Sequence, residues 1–102
     1  MEKYVRLMAD HCSSGVWDKD GCNIDLDSLP IHQWLKSMII DWQRVFDREA
    51  LEDSFDVDTF SKNGYALAVK LKQNLPDWEV VYFDEAASWH NKPRSEYYKK
   101  IT

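Results

Sequence analysis

Only three glycines, three prolines and two cysteines punctuate this 102-residue chain. So few glycines leave no glycine-rich loop to cradle a phosphate. The two cysteines, Cys12 and Cys22, form no C-x-x-C pair; they could pair with each other in principle, but in a reducing compartment they are expected as free thiols. No apolar run approaches the roughly 20 residues of a membrane-spanning helix. The opening Met1-Glu2-Lys3-Tyr4-Val5-Arg6 is too charged for the apolar region of a signal peptide. These absences predict a cytoplasmic protein, whole from Met1. Repeats and low-complexity runs are missing too.

Apolar residues make up 44% of the chain and charged residues 30%, which suits one self-folding domain. A chain of this length buries roughly two-thirds of its unfolded surface, enough for a real core. Aromatics are abundant, with five Trp, five Tyr and four Phe. Most are expected in the core, with some Trp or Tyr left as interface anchors.

Charge is unevenly placed. Asp18 to Asp58 holds eleven acids and four bases, whereas Asn91 to Thr102 holds four bases and one acid. An acidic middle argues against direct nucleic-acid binding, which needs a concentrated positive field. It suits a basic protein partner, steered into encounter by opposite charge. It also serves solubility alone.

Periodicity gives the elements. Val5, Leu7 and Ala9 alternate with polar or mixed neighbours, predicting a strand over 3–9. Residues 15–26 read as two short extended arms around the turn Asp18-Lys19-Asp20-Gly21. Ser28 is the expected cap of a first helix over 29–48, with Pro30 early and Ile31, Trp34, Leu35, Met38, Ile39, Trp42, Val45 and Phe46 on one face. An acidic loop follows. Asp58 or Thr59 is the expected cap of a second helix over 59–75, whose face is Phe60, Gly64, Leu67, Ala68, Leu71 and Leu75 and which Pro76 stops. Gly64 is expected where another backbone comes close. Trp78 to Phe83, apolar on both sides, reads as a central strand inserted beside the first.

The expected fold is α+β, with two amphipathic helices on one face of a three- or four-stranded mixed or antiparallel sheet. The expected domain is 1–85, with 86–102 a basic, aromatic tail, docked or mobile. Trp42 is expected in the core; Trp89, Tyr97 and Tyr98 are expected outside it. Truncation after Asp84 to Ala87 should then cost much less stability than Trp42→Ala.

No constellation supports catalysis or a metal. Placing Gly21 at the sixth position of a calcium loop puts Val16 first, where no ligand is possible. His11, Cys12, Cys22 and His32 lack zinc spacing. Ser13 and Ser14 lie near His11 without an orienting group or oxyanion site. The expectation is a non-enzyme without catalytic residues, metal or cofactor.

Several segments together resemble a family of small bacterial proteins. They are Val16-Trp17-Asp18 with Gly21, Asn23-Ile24-Asp25, Leu29-Pro30-Ile31, Trp42-Gln43 with Phe46-Asp47, Gly64, Ala66-Leu67-Ala68 and Asp77-Trp78-Glu79-Val80-Val81-Tyr82-Phe83-Asp84. The resemblance covers roughly residues 3 to 84 and is to immunity proteins of bacterial toxin systems, including contact-dependent growth inhibition. It implies binding and neutralisation of one cognate toxin domain, often a nuclease, and supplies no catalytic motif. The competing expectation is an acidic regulator or nucleic-acid mimic that binds a basic host or phage protein. In either case the expected partner-binding pool is Asp18, Asp20, Asp25, Asp27, Glu49, Glu52, Asp53 and Asp56, of which a minority should dominate. The partner is a protein, with no membrane and no direct nucleic-acid contact.

Overall fold

The computed structural model describes residues 3–102, so the expected domain of 1–85 begins outside the described residues. Strand β1 is Tyr4–Leu7 and β2 is Val16–Trp17. Two long helices follow, α1 over Gln33–Glu49 and α2 over Val57–Asn74. Then come strand β3 (Glu79–Phe83), short helix α3 (Glu85–Trp89) and strand β4 (Tyr98–Ile101). The strands form one mixed sheet in the order β2-β1-β3-β4. β1 runs parallel to β3 and antiparallel to β2, and β3 is antiparallel to β4. This is the expected α+β architecture, with β3 central.

Strand alternation sorts the sheet into two faces. Val5, Leu7, Val16, Val80, Tyr82 and Ile101 join the core under the helices. Arg6, Val81 and Lys100 fall in register on the other face, with Phe83 opposite Tyr98. α1 contributes Leu35, Ile39, Trp42 and Phe46 to the core. α2 contributes Phe60, Leu67, Ala68 and Leu71, close to its expected face. Trp42 is buried as expected: its ring stacks on Phe60 at 4.7 Å and its Nε1 donates to the Phe60 carbonyl at 3.1 Å. Gly64 lies under the Trp42 and Tyr82 rings, so the close approach is made by side chains where a backbone was expected.

The boundaries differ from expectation for local reasons. α1 begins at Gln33, because Leu29 is extended before Pro30, where that ring disfavours helix. Ser28 does not cap α1. Its hydroxyl donates to the Asp25 carbonyl at 2.6 Å inside a 3-10 turn over Leu26–Ser28. α2 is capped by Asp56, earlier than expected, and begins at Val57, which is buried. Trp34 and Met38, assigned by periodicity to the buried stripe, stand 50% and 40% exposed.

The segment after Asp84, which showed no pattern, is docked and structured. α3 packs on α2, a 3-10 turn covers Arg94–Glu96, and β4 supplies the fourth strand. Its signal is weak because only Ile101 of the four strand residues enters the core. Trp89 and Tyr98 do remain at the surface.

Candidate partner-binding site

The eight acids of the expected pool do not form one patch. Asp18 sits in the turn after β2, where its carboxylate accepts the Asp20 and Cys22 amides at 2.9 Å each. Gly21 completes that turn at φ +84°. Asp18 and Asp20 border a pocket walled by Tyr4, Leu29 and Trp78. Asp25 accepts the Asp27 amide at 3.0 Å and caps the 3-10 turn. Asp27 lies 3.6 Å from the Lys36 ammonium. These two border a separate depression beside Arg44 and Asp47.

The other four acids gather where α1 turns into α2. Glu49 ends α1 and pairs with Arg48 at 3.0 Å. Glu52 and Asp53 occupy the exposed connection. Asp56 accepts the Thr59 hydroxyl at 2.7 Å and the Thr59 amide at 3.1 Å. Those two hydrogen bonds, the hydroxyl's first, hold its carboxyl below the usual range. Glu49 and Asp56 rim a groove of about 430 Å³ between α1 and α2. Its apolar lining includes Met38, Trp42, Val45, Phe55, Phe60 and Leu67. Asp41 also rims it and was missed in the sequence, although it lies three residues after Met38 and four before Val45. That helical spacing was the available signal.

Two further features lie outside the lining of this groove. Glu85 is buried, only 7% exposed, and accepts the Trp89 indole N–H at 3.1 Å. Burial raises its carboxyl to about 7; the Trp89 hydrogen bond opposes this, and the Asp10 and Asp84 charges add to it. For neighbouring Asp84, burial acts upward but is outweighed by hydrogen bonds from Lys99, at 2.8 Å, and the Ala87 amide, leaving it below its usual range. The second feature is the open sheet face. There the Arg6 guanidinium lies 5.3 Å from the Tyr98 ring centre and Phe83 packs on Tyr98 at 5.2 Å.

Among the described residues, no group of three or more His, Cys, Asp or Glu is placed to hold a metal ion, and no helix is long and apolar enough to cross a membrane. Cys12 and Cys22 are free and exposed.

Fold and surface together define a small two-layer α+β protein whose helical layer carries an acid-rimmed apolar groove. The sequence model of one family, described as Serratia CdiI immunity protein-like, matches residues 3–85. The chain belongs to that family, in agreement with the resemblance carried by its tryptophan, glycine and strand segments. Membership supports an immunity-protein role and, with it, recognition of a cognate toxin protein. A comparison with curated proteins gives no match.

Proposed function

We propose that this protein is a cytoplasmic immunity protein that binds a cognate toxin domain, a basic nuclease, and neutralises it in contact-dependent growth inhibition or a related system. The observation that carries this reading is the convergence of Glu49, Glu52, Asp53 and Asp56 around the α1–α2 connection, beside an apolar groove. Carboxylates around an apolar centre match the anatomy of an interface with a desolvated core and a polar rim. They also complement a protein that must hold phosphates. The remaining acids of the pool divide by their local work. Asp18 and Asp25, like Asp56, are engaged with backbone amides, and Asp27 faces Lys36, but of these four Asp56 is the one that borders the groove. Asp20 joins them as a secondary candidate.

Family membership gives the test its form. Co-expression with the toxin domain of the adjoining reading frame should restore growth, and the two proteins should co-purify. Joint Glu49→Lys, Glu52→Lys and Asp53→Lys substitution should slow association by about 10-fold or more at low salt and flatten its salt dependence. Unchanged rate and salt slope in a folded triple variant would reduce the acids to a solubility device.

A further inference from the structure

The floor and walls of the α1–α2 groove tell more about the partner than its rim does. Trp42, Phe60 and Leu67 close the floor, while Met38 and Val45 line the α1 wall. From Met38 to Glu49 the wall runs for about three turns, or roughly 16 Å at 1.5 Å per residue. Trp34, one turn before Met38, prolongs the exposed apolar strip, and Leu51, 88% exposed, stands in the connection. Contiguous apolar surface of this kind marks an interaction site on a soluble protein.

The occupant's backbone is constrained as well. Both walls are α-helices, whose amides and carbonyls are already paired within each helix. A strand entering the groove would find no backbone partner, and unpaired buried backbone groups are costly. A helix satisfies its own backbone and presents only side chains. Charge adds the second constraint: Asp41, Glu49 and Asp56 rim the groove, with Lys70 as the cation among its described lining residues. The Asp41–Arg44 (3.9 Å) and Glu49–Arg48 (3.0 Å) pairs are exposed and so weak enough for a partner's cation to replace.

We infer that the groove receives an amphipathic helix of the partner, with apolar side chains seated between α1 and α2 and Arg or Lys on its flanks opposite Asp41 and Glu49. This rests on the immunity reading and adds the conformation and side-chain chemistry of the recognised segment.

The test uses the full chain and the toxin domain of the adjoining reading frame, inactivated in its own active site. Titration calorimetry compares wild type with Met38→Arg, which places a cation at the groove where the inference puts the partner's own. Met38 is partly exposed, so the fold should survive, as circular dichroism and a thermal melt will check. Met38→Arg is expected to weaken binding by at least about 10-fold, with a smaller loss for Trp34→Ala. Should Met38→Arg not fold, Trp34→Ala together with hydrogen exchange over residues 34–45 and 57–67 carries the test; protection on binding is expected there. Unchanged affinity in the folded variants, or no protection, overturns the groove and leaves the immunity reading standing. A wild type that does not bind the toxin domain defeats that reading and the groove with it. Wild type that self-associates in sedimentation, and becomes monomeric as Met38→Arg, shows a contact between copies and overturns the inference.

Discussion

Gly64 and Glu85 are the two residues at which chemistry is most constrained. A Cβ on Gly64 would meet the Tyr82 hydroxyl, and would lie 2.7 Å from Trp42 Cζ2 and 2.9 Å from Tyr82 Cε1. These are ring atoms held in the core, so they cannot swing aside. Alanine in a helix interior normally gains roughly 0.5–1 kcal/mol over glycine. Here overpacking, typically about 1–3 kcal/mol, should outweigh that gain. Gly64→Ala is therefore expected to lower the urea midpoint, and an unchanged or raised midpoint would show that the rings can yield. Glu85 acts through protons. Its folded value of about 7 exceeds the ordinary 4.5, so the folded form keeps a proton that the unfolded chain has released. Stability from this group is full below about pH 4.5 and is lost as pH rises through 7. Glu85→Gln should thus gain on the order of 1–3 kcal/mol at pH 8 relative to wild type and little at pH 4.5. Urea melts at the two pH values decide this, and an equal effect at both would point to packing in place of protonation.

Among the elements, β4 changes the account most. It pairs with β3 over Tyr98 to Ile101, places Ile101 against Val80, and brings Lys99 to Asp84. Truncation after Ala87 would remove all three and bare one side of the central strand. Its stability cost is therefore expected to equal or exceed that of Trp42→Ala, about 3–5 kcal/mol, the reverse of the expectation from sequence. Thermal melts of the two variants compare them directly. What was legible and what was not follows from how many residues share a signal. α2 repeats its apolar spacing from Phe60 to Leu75, and β3 is apolar at Val80, Val81, Tyr82 and Phe83, so both could be read. β4 offers one inward apolar residue and no period. The Trp34–Met38 strip misled for the opposite reason: it continues the helical stripe, but α1 turns that part of its face toward the groove and solvent. Counting acids located the negative region but could not separate carboxylates that bind backbone amides, such as Asp18 and Asp56, from Glu52 and Asp53 in the exposed connection. That difference depends on turns the charge count does not encode.

At the scale of the molecule, charge and layers coincide in part. The net charge of −5 is concentrated between Asp18 and Asp58, in the turns and the helical hairpin, while Lys99 and Lys100 lie on the β4 edge strand. Lysines on an edge strand discourage pairing with another sheet, so this edge is guarded. The helical layer carries the groove's acids, Asp41, Glu49 and Asp56, together with the exposed apolar side chains Trp34 and Met38, and Leu51 stands in the connection between the helices. Long-range attraction and short-range burial are thereby offered on the same side. The sheet's outer face, with Arg6 over Tyr98, differs in sign and in chemistry.

The parallel pairing of β1 with β3 also governs the order of events in time. Residues 4–7 must wait for residues 79–82, and all of residues 8–78 lie in the loop that this pairing closes. Long-range pairing pays its closure entropy before contacts reward it, so it tends to come late. The helical hairpin needs only contacts between residues 33 and 74, and the stacking of Trp42 on Phe60 lies wholly within it. The groove thus belongs to the part of the chain free to assemble early, and the sheet beneath it locks the shape afterwards.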